Sequence, residues 1–168
     1  ITVHDLTQLR FKNTSKDKAG LVYSAKQKIL NKGIKSATKK ASAVIVPSHF
    51  VAKDIAQNLG VDPTKIVVTY ESADILTKAT PLQIDKLVGK PFILYVGTAH
   101  AHKNLNRLVG AFKILKQAFP DLTLVFAGKK TIFHERLENY VKEQGAKNVV
   151  FTGFVEESEL IWLYKNCR

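Results

Sequence analysis

From Phe92 onward the chain alternates between two hydrophobic periods. Three short runs are almost wholly apolar: Phe92–Val96, residues 122–127 and residues 149–152. Each is followed by a longer stretch in which apolar residues recur every three or four positions. The first stretch carries Leu105, Leu108, Phe112 and Leu115, the second Leu137, Tyr140 and Val141, and the third Leu160 and Leu163. A period near 3.6 puts such residues on one helical stripe, whereas a short continuous apolar run suits a strand covered on both faces. Strands and helices alternating at this length predict βαβ units and a parallel sheet.

The first half is less regular. Residues 1–6 read as the end of a strand, and residues 7–18 as polar and irregular. Between residues 20 and 40, Val22, Ala25, Ile29 and Ala37 recur at helix-like spacing with lysines between them. Gly33 is expected to weaken that helix or break it in two. Residues 43–46 form a short apolar run halted by Pro47. Ser48 then offers an N-cap to a helix carrying Val51, Ile55 and Leu59, which Gly60 closes. A turn at Asp62 and Pro63 leads to a strand over 66–70. Residues 71–90 are mixed and polar, with Pro81 and Gly89, and read as a linker. There are no repeats and no low-complexity segments.

Composition narrows the classes. The 168 residues, 45% of them hydrophobic, suffice for one full domain or for a small domain plus part of another. No apolar span is long enough for a transmembrane helix, and no signal-peptide pattern is visible. The single cysteine, Cys167, excludes an intrachain disulfide and suits a reducing compartment. Methionine is absent, Ile1 lies in a strand-like pattern, and the last residues stop in a helical one. The expectation is a chain cut from a longer protein. The net charge of +12 is uneven, with residues 1–42 contributing +8. Three readings remain open: a solvated face, a surface for anionic lipid, or a surface for nucleic acid. Without basic–aromatic alternation, zinc spacing or an RNA-binding signature, nucleic acid ranks last.

Gly97, Gly128 and Gly153 each follow an expected strand directly. Ligands of an open parallel sheet bind beyond the carboxyl ends of its strands, where a missing side chain permits close approach. Any one of these glycines is explained by an easy turn; three at matching positions point to a ligand crevice. In the loop 97–104, Lys103 falls just before a helix start, with Asn104 as the expected N-cap. Free N–H groups and a partial positive charge at a helix N-terminus attract anions, and a lysine adds a point charge that suits phosphate. The loop thus reads as a diphosphate seat, with an ordinary surface lysine as the plain alternative. His100 and His102 would supply two ligands of a metal ion, but no third has a suitable spacing. The loop is neither a G-x-G-x-x-G fingerprint nor a P-loop. His4 and Asp5 follow a strand and face the same kind of crevice, in a structural or a catalytic role. Glu71 and Asp74 are candidate caps or hinge contacts.

The segments ITVHDL, ASAVIVPSHFVAKDI, DPTKIVVTYESAD, FILYVGTAHAHKNLNRLVGAF, LTLVFAGKK and NVVFTGFVEESELIWLY occur in that order. Together they resemble the GT-B glycosyltransferases of family four, retaining transferases that use nucleotide sugars and include bacterial mannosyl- and glucosyltransferases. The resemblance covers nearly the whole chain. It implies an α/β fold of GT-B type, with parts of two Rossmann-like domains and parallel sheets. Residues 1–75 would be the C-terminal part of the acceptor-side domain, 76–91 the interdomain linker, and 92–168 the first half of the donor domain. The family's glycine-rich N-terminal loop and its E-x-x-x-x-x-x-x-E donor motif are not among these residues, which puts activity of this stretch alone in question.

By the same resemblance, His4 takes the position of a histidine near the reacting sugar, with Asp5 beside it as a second catalytic candidate. Lys103 matches the lysine that neutralises the donor diphosphate. Gly97, Thr98, His102, Asn104, Gly128 and Lys129 would line the nucleotide-sugar site, and Gly153 and Phe154 would lie beside the nucleobase. Thr98 stands where an arginine is frequent, so one phosphate contact is expected to be either lost or moved, with His102 as the candidate to take it over. The family's N-G-V-D hinge reads Glu71, Ser72, Ala73, Asp74 here. The implied reaction transfers a hexose to a glycan or lipid-linked acceptor with retention and without a bound metal; the nucleotide sugar is a substrate. The implied setting is cytoplasmic, with peripheral contact at an anionic inner membrane face and no nucleic acid. The alternatives are a non-catalytic nucleotide-binding half-protein that needs a partner chain, and a basic membrane- or nucleic-acid-binding module.

Overall fold

The computed structural model describes residues 1–10, 18–73 and 79–168. The chain forms two compact units, Ile1–Asp74 and Ile75–Arg168.

In the first unit, β1 (Val44–Val46) pairs in parallel with β2 (Ile66–Val68), Val44 opposite Ile66. On the other side of β1, Thr2 forms a parallel bridge to Ile45, with Val3 N–H donating to the Ile45 carbonyl at 2.9 Å. Residues 1–3 therefore run alongside β1 and deliver His4 to its carboxyl end. Three helices accompany these strands: α1 (Thr7–Arg10), α2 (Lys18–Lys40) and α3 (His49–Leu59). Val44 and Val46 are buried while Ile45 is exposed, and the core gathers Leu6, Val51, Ile55, Leu59 and Val61 around them. The α3 boundaries follow the sequence. Ser48 Oγ accepts from the Val51 N–H at 3.3 Å, and Gly60 adopts φ 66°, a left-handed cap.

Three expectations for this unit need correction. Residues 7–10 are helical rather than irregular, because Asp5 Oδ1 accepts the Thr7 N–H at 2.7 Å and starts the turn. Residues 11–17 lie outside the described residues. The helix over 20–40 begins earlier, at Lys18, and continues through Gly33. A glycine weakens a helix by about 1 kcal/mol, but unlike proline it removes no hydrogen bond. The strand expected over 66–70 ends as a strand at Val68, with one more bond from Thr69 N–H to the Val46 carbonyl at 2.8 Å.

In the second unit, β3 (Phe92–Val96), β4 (Thr123–Ala127) and β5 (Val149–Gly153) form one parallel sheet in the order β3-β4-β5. The helices α4 (Leu105–Ala118), α5 (Ile132–Glu143) and α6 (Glu157–Asn166) alternate with them. Every residue of β4 is buried. Leu124 and Phe126 pack with Leu105, Val109, Phe112, Leu137 and Val141 of α4 and α5; Val125 and Ala127 pack with Phe92 and with Leu163 of α6. Cover on both faces is the physical reason for the continuously apolar run. Each fully buried Leu or Phe adds about 1.5–3 kcal/mol. Ile84 and Leu87, inside the stretch read as linker, are buried in the second of these cores, where 85–87 form a 3-10 turn. Glu156 and Glu159 make a capping box at the start of α6, with Glu156 N–H donating to Glu159 Oε2 at 2.9 Å. Residues 74–78, including Asp74, lie outside the described residues. Among the described residues no helix is long and apolar enough to cross a membrane.

Candidate functional site

Gly97, Gly128 and Gly153 end three neighbouring strands and are linked across them. Gly97 N–H donates to the Ala127 carbonyl, and Gly128 N–H to the Gly153 carbonyl, each at 2.9 Å. At Gly128 a Cβ would sit 2.4 Å from the Gly97 carbonyl oxygen, so the neighbouring backbone itself demands glycine. Gly97 needs glycine for its φ of 134°, since a Cβ there would meet only the Tyr95 ring, at 3.5 Å or more.

The loop 97–104 joins β3 to α4. Tyr95 hydroxyl donates to the Thr98 carbonyl at 2.9 Å, and burial raises the Tyr95 pKa, which favours its protonated, donating form. Residues Ala101–Lys103 then form a 3-10 turn, closed by Lys103 N–H to the His100 carbonyl at 2.9 Å and Asn104 N–H to Ala101 at 3.1 Å. Asn104 occupies the N-cap position of α4 in a left-handed conformation, φ 54°, but its side chain makes no capping hydrogen bond, contrary to expectation. Its carbonyl accepts from the Arg107 N–H at 3.1 Å. The side chain therefore leaves the first N–H groups of the 14-residue α4 uncapped, the arrangement that favours an anion. Thr98, Lys103 and Asn104 are exposed; His100 and His102 are half-buried, their rings stacked at 5.6 Å.

The other expected nucleotide-site residues lie at the ends of the next two strands. Lys129 is exposed just after Gly128. Phe154 is 70% exposed just after Gly153, whose φ is 77°. The sequence reading passed over two residues on the first turn of α5. His134 is buried, with Nδ1 3.1 Å from Thr131 Oγ1, and Phe133 packs on His100 at 4.5 Å between ring centroids. Their place on the helix that follows a strand-end glycine was the available signal. Among the described residues no group of three His, Cys, Asp or Glu side chains is placed to hold a metal ion.

The first unit carries a different constellation at its strand ends. His4 Nδ1 lies 2.5 Å from Glu71 Oε1, and both side chains are mostly exposed. A carboxylate only accepts, so Nδ1 carries the shared proton and Nε2 is the acceptor atom of the neutral ring. Glu71, expected as a cap or hinge contact, is thus the partner of His4. Asp5 spends one carboxylate oxygen on starting α1. Nearby, His49 meets Tyr70 edge to face at 6.1 Å, and Tyr70 is 70% exposed. Arg10 pairs with the buried Asp54, whose Oδ1 also accepts from Asn58 Nδ2 at 2.7 Å. That pair ties α1 to α3.

The family model described as Glycosyl transferases group 1 matches residues 79–168, and the one described as Glycosyltransferase Family 4 matches residues 1–75. A search of curated proteins gives no match. The chain is similar to the solved structure of a glycosyltransferase from Rickettsia africae ESF-5, with TM-score 0.61 and 22% identity over 83% of this chain and 40% of that one. It is also similar to Anabaena HepE, solved in complex with UDP and glucose, with TM-score 0.64 and 22% identity over 96% of this chain and 43% of that one. This chain spans about two fifths of the length of both. These likenesses establish the GT-B fold. With a family model matching more than half of its residues, the chain belongs to the group 1 glycosyl transferases.

Proposed function

We propose that the chain carries part of a site that transfers a hexose from a nucleoside diphosphate sugar to a glycan or lipid-linked acceptor, with retention at the anomeric carbon. The observation that carries this reading is the loop 97–104: an exposed lysine beside a helix N-terminus that the Asn104 side chain does not cap, at the carboxyl edge of a parallel sheet. When the bond from sugar to phosphate breaks, negative charge grows on the departing diphosphate. Lys103 and the N-terminus of α4 stabilise that charge in place, which lowers the barrier where it is highest. Gly97, Thr98, His102 and Asn104 shape the seat, Gly128 and Lys129 flank it, and Gly153 and Phe154 border the nucleobase. Neutralisation falls to Lys103 and the helix rather than to a resident metal.

On the acceptor side, Glu71 holds the His4 ring so that Nε2 can accept a hydrogen bond from a sugar hydroxyl, with Asp5 setting the chain direction just after it. HepE, a fold neighbour, was solved with UDP and glucose, which supports a nucleotide and a hexose as the chemistry to try first. The exposed lysines of α2, namely Lys26, Lys28, Lys32 and Lys35, support peripheral contact with an anionic membrane on the cytoplasmic side.

The test is to incubate the intact protein with UDP- and GDP-hexoses and a panel of glycan and lipid-linked acceptors, and to follow the anomeric proton of the product by NMR. Release of nucleoside diphosphate with an unchanged anomeric configuration is expected. An inverted product would contradict retention. Nucleotide binding with no transfer would support the non-catalytic reading instead.

A further inference from the structure

Only the loop 128–131 separates β4 from α5, so the first turn of that helix arrives directly beside the loop 97–104. Of two consecutive side chains on that turn, Phe133 meets the loop itself and His134 meets Gly128 beside it. His134 Nε2 lies against Gly128, 3.3 Å from where a Cβ would be, at the point where Gly128 and the Gly97 carbonyl make their closest approach. Phe133, half-buried, packs its ring on His100 at 4.5 Å and 59°, and His100 stacks on His102 at 14°. His102 immediately precedes Lys103.

The loop's own conformation is a demanding one. A single 3-10 turn has poorer hydrogen-bond geometry than an α-helix, and the left-handed Asn104 that ends it has no capping bond from its side chain. Such a turn holds one shape only when its surroundings fix it. The aromatic series Phe133, His100, His102 supplies a fixed surface from a neighbouring helix.

We infer that Phe133 is a positioning residue for the diphosphate loop. Its ring sets His100, His100 sets the 3-10 turn, and the turn sets where Lys103 and the N-terminus of α4 point. The inference rests on the diphosphate reading of the loop, and it adds a residue on a different helix that does not touch the ligand.

The experiment uses the intact protein with Phe133→Ala, Phe133→Leu, Phe133→Tyr, His100→Ala and the His100→Ala/Phe133→Ala double variant. The first readout needs no nucleotide: amide hydrogen exchange at Lys103 and Asn104. Phe133→Ala should speed exchange there about 3- to 10-fold, the size expected for loss of one ring pair, with β4 amides unchanged. Phe133→Leu keeps bulk without a ring and should behave like alanine even if alanine itself folds poorly, whereas Phe133→Tyr should restore protection. The second readout is calorimetric titration of UDP and GDP. Affinity should fall about 3- to 10-fold in Phe133→Ala and in His100→Ala, and the double variant should be no weaker than either single one. Unchanged exchange in both Phe133→Ala and Phe133→Leu, or fully additive losses in the double variant, would overturn the inference. Loosened exchange in a protein that binds neither nucleotide would overturn the diphosphate reading while leaving Phe133 as the residue that orders the loop.

Discussion

The two units present their candidate groups by different means. In the second unit the site is built into the backbone: three glycines stitched across adjacent strand ends, a 3-10 turn and a helix N-terminus. In the first unit it is built from side chains: an exposed His4–Glu71 pair and an exposed Tyr70, His4 following the bridge to β1 and the other two following the three-residue β2. A sheet covered on both faces fixes its strand ends rigidly enough for main-chain N–H groups to be aimed. In the first unit, where Ile45 and Val67 are exposed, side-chain pairing supplies the geometry. Substitutions at the strand-end glycines should therefore act through the fold, and those at the His4–Glu71 pair through chemistry.

The sharpest way to break this contrast is at glycine. Gly128→Ala should destabilise the second unit by about 2–3 kcal/mol, because the added carbon meets the backbone carbonyl of Gly97, a residue whose own N–H is bonded to the Ala127 carbonyl. Gly60→Ala, at φ 66° with open space around it, should cost only about 1 kcal/mol. Denaturant unfolding followed separately in each unit checks both, and equal costs would remove the distinction. Next in size is the charged helix. Lys28, Lys32 and Lys35 share one stripe of α2, and each lysine near an anionic surface contributes about 1 kcal/mol. Changing these three and Lys26 to Glu should weaken co-sedimentation with anionic vesicles by about 100-fold or more. Equal sedimentation would refute the membrane reading. A smaller effect is expected for Glu71→Gln, which keeps the shape but can let the His4 ring turn over. Transfer should slow by about 10-fold with the fold intact, measured as initial rate against melting temperature.

The smallest effect concerns acidity. The Thr64 backbone N–H and then its hydroxyl hold the Asp62 carboxyl below its ordinary 3.8, at the turn before β2. A pKa lowered by folding adds stability that is present above the unfolded value and lost as pH falls through the folded one. The melting-temperature gap between wild type and Asp62→Asn should thus be full near about pH 6 and close below 3.8. A gap that widens in acid would contradict the assignment.

How much the sequence disclosed follows the same division. Strands β3, β4 and β5 were legible because burial on both faces leaves an unbroken apolar run, and α3 because Ser48 and Gly60 mark its ends locally. Other features depend on partners distant in sequence. Glu71 finds His4 across 67 positions, and nothing near either residue announces it. Ile84 and Leu87 looked like linker residues because a three-residue turn carries no periodicity, yet the core around Phe92 claims them. Asn104 was read as a cap by residue type, but what it contributes is a left-handed backbone. Of the candidate site, the glycines and Lys103 could be picked out as loop residues. Phe133 and His134 offered only their place after a strand-end glycine, since their roles exist only once α5 lies beside the loop.

The decisive measurement is calorimetric titration of UDP and GDP into the intact protein and into Lys103→Ala and Lys103→Arg. A charge-assisted contact to phosphate contributes roughly 1.5–3 kcal/mol, so Lys103→Ala should lose about 10- to 150-fold in affinity at unchanged melting temperature. Lys103→Arg should recover only part of that, because a planar guanidinium does not replace a compact ammonium in so tight a turn. Unchanged affinity in Lys103→Ala would contradict the assignment of the loop 97–104 as the seat of the diphosphate.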